Sequence, residues 1–127
     1  MKQLTLGELI EKLEKIVKVD GYDSPSVYFD FARFYPTYCN SYRGYYEQIA
    51  IGYADGNEGL APSVVTFMNY LQREVLGEIF TGYKGGEYMM HSDTPVWVAS
   101  YGHAEPTAVV DVSYEGYLVI IHTAYKD

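Results

Sequence analysis

The sequence has little cysteine and no long apolar run, and each shortage excludes a class of protein. Its single cysteine, Cys39, cannot form a disulfide within the chain, and no cluster of Cys and His has the spacing of a zinc site. Apolar runs such as Tyr117 to Ile121 are far shorter than the roughly 20 residues that cross a bilayer. We therefore expect a buried or semi-buried, unreactive Cys39 thiol, no metal site and no membrane partner.

Basic charge is also scarce. Nine Lys and Arg residues stand against 17 Asp and Glu, which gives a formal net charge of -8. Duplex nucleic acid is an unexpected partner, because Lys and Arg supply most of the non-specific affinity for phosphate. The negative charge serves either solubility alone or an acidic surface that enters a basic groove on a partner. Met1 to Leu4 leads directly into a helix pattern with no secretory signal, which favours the cytoplasm.

Tyrosine, by contrast, is abundant. The chain has 15 tyrosines against five phenylalanines and one tryptophan. Tyrosine presents an apolar ring with a polar tip and loses little side-chain entropy when it is ordered, so it is common where proteins meet ligands or partners. The composition therefore favours a binding protein.

A chain of 127 residues has the size of one domain, and we expect residues 1–127 to form a single α+β domain. Thr5 and Glu8 have the spacing of a capping box, which predicts a helix that begins there and ends at Gly21. Pro62 is typical of a first helical turn, so a second helix is predicted from Pro62 to Gly77, with a buried stripe formed by Val64, Phe67, Met68, Leu71 and Val75.

Five strands are predicted from β-branched and aromatic runs between turn residues. They are Ser26–Phe31, bounded by Pro36, a strand within Tyr45–Tyr53, Pro95–Ala99, and a closing hairpin of Ala108–Ser113 and Tyr117–Thr123 around Glu115 and Gly116. Thr81–Asp93 is glycine-rich and predicts a shaped loop or a bent strand. Short connections favour two helices packed on a mainly antiparallel sheet of about five strands.

Two segments concentrate groups that recognise ligands. Ser41–Gln48 places an arginine among aromatic rings, and Gly82–Tyr88 places a lysine in a flexible glycine frame that could expose backbone N–H groups to an anion. Together they predict a nucleotide-type pocket, in which rings stack on a base, cations meet phosphates, and Glu47 or Glu87 accepts from ribose hydroxyls. The candidate ligand-binding residues are Tyr42, Arg43, Tyr45, Tyr46, Glu47, Tyr83, Lys84, Gly85, Gly86 and Trp97.

A purely structural interpretation of these segments stays open. An arginine beside tyrosines can form a cation–π contact that pins a loop to the sheet, without any ligand. The glycine segment also lacks the spacing of a Walker loop and of a dinucleotide fingerprint.

No motif marks a nucleophile, a base and an orienting group, so we expect no enzyme activity and no cofactor. The three histidines are scattered along the chain. His91 beside Asp93, and His103 beside Glu105, could each be a base with its carboxylate, although a surface position is the commoner case. His122 is expected to be a half-exposed residue of the last strand.

Four segments resemble those of small uncharacterised proteins encoded by tailed bacteriophages. They are Thr5–Ile10, Ser41–Ala50, Gly82–Gly86 and Thr94–Ala99, and the similarity spans nearly the whole chain. The resemblance implies a virus-encoded accessory protein that acts in the bacterial host cytoplasm. Some such proteins sequester cyclic nucleotide or cyclic ADP-ribose-like immune signals, and others occlude a host defence enzyme. The first analogy predicts a nucleotide sponge, formed within one chain or across a homo-oligomer interface, and the second predicts an acidic inhibitor that mimics nucleic acid.

Overall fold

A computed structural model of the chain describes residues 2–20, 24–99 and 106–126 and has an α+β architecture. Helix α1 and helix α2 are accompanied by eight strands, β1 to β8, in chain order. The helices are α1 (Leu6–Asp20) and α2 (Val64–Tyr70), and the strands are β1 (Ser26–Phe29), β2 (Phe34–Tyr42), β3 (Tyr45–Asp55), β4 (Ile79–Thr81), β5 (Glu87–Met89), β6 (Val96–Val98), β7 (Thr107–Tyr114) and β8 (Leu118–Tyr125).

Helix α1 begins at the predicted capping box. The Thr5 N–H donates to Glu8 Oε1 at 2.9 Å, and the Glu8 N–H donates to Thr5 Oγ1 at 3.2 Å. The pKa of the Glu8 carboxyl is lowered. The largest cause is its hydrogen bond with the Thr5 backbone, and the second is its hydrogen bond with the Thr5 side chain. Leu6, Leu9 and Leu13 are fully buried. The predicted end at Gly21 lies outside the described residues.

Helix α2 begins later than its proline suggests. Ser63 is the N-cap and accepts from the Thr66 N–H, so Pro62 lies before the helix and not in its first turn. The helix continues as a π-helical turn over Leu71–Val75, and Gly77 follows with φ of +79°, as the predicted stop requires.

Six strands form the main sheet, in the order β1-β8-β7-β6-β3-β2, and β4 and β5 form a separate antiparallel hairpin. Within the main sheet, β1–β8 and β3–β6 are parallel and the other pairs are antiparallel. The mainly antiparallel α+β prediction is therefore confirmed, but the strand count of about five is too low. The Thr81–Asp93 segment contains part of the additional hairpin.

Strand β2 is not among the predicted strands, because a proline such as Pro36 normally marks the boundary of a strand. Pro36 lies inside β2, which is an edge strand, where a missing N–H is tolerated because one side of the strand has no neighbour. Strand β1 is two residues shorter than predicted, since the chain turns after Phe29 and Ala32 adopts φ of +51°. The predicted closing hairpin is confirmed as β7 and β8.

The two faces of the main sheet carry different clusters. Residues such as Ile49, Ile51 and Val96 join both helices in the main core. Their neighbours along the same strands, Ala50 and Trp97, belong to a second cluster with Tyr42, Ala108 and Val110. Since side chains alternate along a strand, the second cluster lies on the face away from the helices.

Candidate functional site

The β2–β3 hairpin turns through Arg43 and Gly44, and this turn sets the position of two tyrosines. Gly44 has φ of +107°, a conformation that favours glycine at the second position of a two-residue turn. Tyr42 and Tyr45 are directly paired across the hairpin. Paired residues place their side chains on the same face, so both rings lie on the side of the sheet away from the helices.

Tyr42, Tyr45 and Trp97 form a set of parallel rings, which we call the ring platform. Trp97 enters from β6, where it pairs with Ala50 of β3. The centroids of Tyr42 and Trp97 are 4.6 Å apart at an interplanar angle of 4°, and Tyr45 lies 6.2 Å from Trp97 at 7°. The Trp97 Nε1–H donates to Gln48 Oε1 at 2.6 Å, which fixes the orientation of the indole.

The members of the ring platform differ in burial. Tyr42 and Trp97 are buried, whereas Tyr45 is 54% exposed. Burial raises the pKa of the Tyr42 hydroxyl, and the nearby Tyr45 raises it further. Lys126 Nζ lies 5.9 Å from the centroid of the Trp97 ring and donates to Gln3 Oε1 at 2.8 Å. The platform therefore has a fixed, buried part and one ring that solvent reaches.

The two predicted segments meet next to the turn of the β2–β3 hairpin. The Arg43 guanidinium lies over the Tyr83 ring, with Cζ 4.2 Å from the centroid. The ring centroids of Tyr46 and Tyr88 are 5.9 Å apart. A Cβ at Gly82 would lie 3.0 Å from Tyr46 Cγ and 3.0 Å from Tyr88 Cε2, so a glycine allows both rings to approach this backbone.

Charged groups surround this contact. Arg43 and Lys84 are exposed, and within the described part of the chain neither forms an ion pair with a carboxylate. Glu47 is also exposed on β3. Two positive charges are therefore available to an anionic ligand near the tips of the hairpins.

In the Gly82–Gly86 turn, some of the backbone N–H groups that were predicted to bind an anion are already used. The Gly82 N–H donates to the Gly86 carbonyl at 2.7 Å, and the Gly85 N–H donates to the Gly82 carbonyl at 2.9 Å. These two donors are used within the turn. The exposed Arg43 and Lys84 side chains are the cationic groups at this site.

A depression of about 190 Å³ lies next to the ring platform. Small residues line it, with Ala50, Gly52 and Ala99 among them, and Tyr42 and Arg43 border it together with Tyr38, Asn40 and Ser41. Among the described residues, the Ser41 hydroxyl is the buried side-chain polar atom without a hydrogen-bond partner. Typical ligand pockets hold about 300–1,000 Å³, so this depression fits one planar ring and not a whole dinucleotide.

A second groove, of about 280 Å³, lies between β2 and α2, and sequence reasoning did not identify it. Tyr38, Leu60, Phe67 and Tyr70 are among its lining residues, and none of the lining residues is charged. The Cys39 N–H donates to Tyr70 Oη at 2.7 Å, so the helix occupies part of the free edge of β2. Cys39 is buried as predicted, and burial raises the pKa of its thiol to about 12.

The histidines fall in three different settings. His91 is exposed, and its backbone N–H donates to Thr94 Oγ1 at 2.8 Å. His103 and Glu105 lie outside the described residues. His122 is a half-exposed residue of β8, as expected, but its ring contacts Ser113 on β7 and Asp30 after β1. That three-residue cluster was missed because its members are distant in sequence.

Comparison with known proteins identifies no relative: no family model, curated protein or solved structure matches the chain. Across residues 2–20, 24–99 and 106–126, no helix is long and apolar enough to cross a membrane. The same residues contain no group of three or more His, Cys, Asp or Glu side chains that could hold a metal ion.

Proposed function

We propose that the chain is a binding protein for a small nucleotide-derived ligand, with the ring platform as the surface on which the base stacks. The observation that carries the proposal is the parallel arrangement of Tyr42, Tyr45 and Trp97 beside an arginine that has no carboxylate partner in the described residues. A planar base adds to parallel rings without any change in their orientation. Base–aromatic stacking contributes about 1–3 kcal/mol per base.

The anionic part of the ligand is assigned to side-chain cations near the platform. Arg43 follows Tyr42 directly, and its guanidinium is planar, permanently charged and able to bind phosphate through two donors. Lys126, which directly follows β8, lies near the Trp97 ring, with its Nζ 5.9 Å from the ring centroid. The net charge of -8 opposes general attraction of anions, so local placement of these cations matters more than the overall field.

The size of the depression sets how much of the ligand one chain encloses. About 190 Å³ holds one base, and the remainder of a cyclic dinucleotide or cyclic ADP-ribose-like molecule would extend into solvent. A second copy of the chain that brings its own platform to the other base would enclose such a ligand. This is the homo-oligomeric form of the proposal. The phage resemblance makes a host immune signal in the bacterial cytoplasm the candidate ligand.

Isothermal titration calorimetry tests this proposal with a panel of cyclic oligonucleotides, ADP-ribose and cyclic ADP-ribose isomers. We expect saturable heat with at least one of them, and weaker binding after Tyr45→Ala. Tyr117→Ala is the matched control, because Tyr117 is also exposed but lies in the β7–β8 turn. Absence of heat with the whole panel would reject the proposal. Equal losses of ligand affinity in Tyr45→Ala and Tyr117→Ala would also reject it.

The alternative of an acidic inhibitor that mimics nucleic acid has less support from the charge arrangement. Glu8, Glu11 and Glu14 place three carboxylates on α1, and two of them have lysine partners: Glu8 Oε2 lies 3.5 Å from Lys2 Nζ, and Glu11 Oε1 lies 3.3 Å from Lys15 Nζ. These exposed pairs divide the row of negative charge. A host protein captured from lysate at low salt and released at high salt, with no bound nucleotide in native mass spectrometry, would favour the inhibitor.

A further inference from the structure

Asp30, His122 and Ser113 form a cluster that the proposed binding function does not use. Ser113 Oγ lies 2.7 Å from His122 Nε2, and His122 Nδ1 lies 3.9 Å from Asp30 Oδ2. Ser113 lies on β7, His122 lies on β8 and Asp30 directly follows β1, and the sheet brings the three together. All three are at least partly accessible, and the His122 side chain is 36% exposed.

Asp30 is held firmly in place. Its Oδ1 accepts from the Thr123 hydroxyl at 2.7 Å, and its Oδ2 accepts from the Thr123 N–H at 2.9 Å. The 3.9 Å separation from His122 is about 0.7 Å longer than the outer limit of a hydrogen bond, and such distances in ligand-free sites often shorten when substrate binds.

The Ser113 hydroxyl has two acceptors within reach. His122 Nε2 is at 2.7 Å and Glu115 Oε2 is at 3.3 Å, so the histidine is the closer one. When the imidazole carries its proton on Nδ1, facing Asp30, Nε2 is free to accept the hydroxyl proton. Asp111, which is paired with His122 across the strands, is a third carboxylate near the ring, and Lys12 Nζ lies 3.2 Å from its Oδ1. The carboxylates stabilise the imidazolium that forms when Ser113 is deprotonated.

The geometry points to a reactive serine: Ser113 is a nucleophile for acyl transfer from small activated carboxylic esters, with His122 as its base and Asp30 as a positioning residue. Ser113 Oγ forms a bond to the carbonyl carbon while its proton moves to His122 Nε2. The ester C–O bond then breaks, and His122 returns the proton to the leaving oxygen. Water hydrolyses the acyl-serine by the same route, which restores the hydroxyl.

Labelling with an alkyl fluorophosphonate tests the nucleophile directly, because Ser113 Oγ would displace fluoride from phosphorus and keep the phosphonyl group. Intact mass and peptide mapping locate the adduct, and 4-nitrophenyl acetate hydrolysis follows acyl transfer. We expect a single adduct on Ser113, no adduct after Ser113→Ala, and labelling slowed by at least about 100-fold after His122→Gln. Asp30→Asn should slow labelling by about tenfold with unchanged melting. Ser92→Ala is the matched control, since Ser92 is also exposed.

Several results would overturn the assignment. They are no adduct on the folded wild-type protein, adducts spread over tyrosines and lysines, or a His122→Gln variant that labels at the wild-type rate. If a variant fails to fold, the wild-type protein alone still decides the matter: an adduct mapped to Ser113 must disappear when labelling is carried out in concentrated urea. An adduct that persists in urea reports ordinary serine chemistry and rejects the proposal.

Discussion

The ring platform and the aromatic cluster at the end of β1 are both built from rings, but their rings meet at different angles. In the phenylalanine cluster, formed by Phe29, Phe31, Phe34 and Tyr53, the Tyr53 ring meets Phe29 at 78°, Phe31 at 81° and Phe34 at 61°, and only Phe29 and Phe31 stack on each other, at 19°. In the platform every interplanar angle is 7° or less. In edge-to-face contacts, the face of one ring is covered by the edge of another ring of the cluster. A set of parallel rings can instead be extended by a further planar group that stacks parallel to them.

The two clusters also differ in where they lie. Phe29 is almost fully buried in the main core beneath the helices, and the rings around it pack against that core. The platform lies on the opposite face of the sheet and includes the half-exposed Tyr45. The phenylalanine cluster is thus part of the main core, and the proposed function assigns the ligand to the platform on the opposite face. The variants below test that division.

Phe29→Ala should have the largest effect, and it should act on stability alone. Removal of a buried phenylalanine lowers the free energy of unfolding by about 3–5 kcal/mol, because contacts are lost and a cavity remains. Urea denaturation followed by Trp97 fluorescence measures the change. The nucleotide affinity of the folded fraction should equal that of the wild type. A decrease in the free energy of unfolding of less than about 1 kcal/mol would contradict the role given to this cluster.

Arg43→Ala should act mainly on binding. Loss of a charge-assisted hydrogen bond weakens ligand by about 1.5–3 kcal/mol, while loss of an exposed cation–π contact with Tyr83 costs only about 0.5–1 kcal/mol of stability. Calorimetry and thermal melting separate the two. A variant that melts much earlier and keeps full affinity would show that Arg43 pins the hairpin and binds no phosphate.

Tyr45→Ala should weaken binding by about 1–3 kcal/mol, the contribution of stacking one base, with little change in melting because the ring is more than half exposed. Tyr45→Phe is the control that keeps the ring and removes the hydroxyl, and it should retain most of the affinity. Equal losses of ligand affinity in Tyr45→Ala and Tyr45→Phe would assign the contact to the hydroxyl and contradict stacking.

Tyr42→Phe should produce the smallest effect, seen only at alkaline pH. Folding raises the pKa of the Tyr42 hydroxyl above its ordinary value of 10. The contribution of this hydroxyl to stability is therefore present below pH 10 and is lost as the pH rises through the raised pKa. We expect the wild type to lose more stability than the variant between neutral and strongly alkaline pH. Melting curves across that range measure the difference, and parallel losses would contradict the burial of this hydroxyl.

The elements predicted correctly from sequence are those that local chemistry determines. The Thr5–Glu8 capping box and the hairpin around Gly116 each depend on residues close together in the chain. Strand β2 escaped prediction because Pro36 reads as a break until it is known to lie on an edge strand. The parallel pairs β1–β8 and β3–β6 join distant segments, and no local pattern reports such pairings.

The candidate site divides in the same way. Sequence reasoning brought Arg43 and Tyr83 into one site, and the structure places them in contact. The parallel alignment of Tyr42 with Trp97 depends on the β3–β6 pairing and was not predicted. The cluster of Asp30, Ser113 and His122 requires three strands in register, so composition and spacing give no signal for it.

Trp97 fluorescence during nucleotide titration tests the central claim most directly, because Trp97 is the single tryptophan of the chain and belongs to the ring platform. Stacking of a base on the platform predicts quenching that saturates at the concentration at which calorimetric heat saturates. Ribose 5-phosphate, which lacks a base, should leave the emission unchanged. Calorimetric binding without any change in Trp97 emission, or quenching that rises linearly without saturation, would contradict the assignment of the platform as the ligand site.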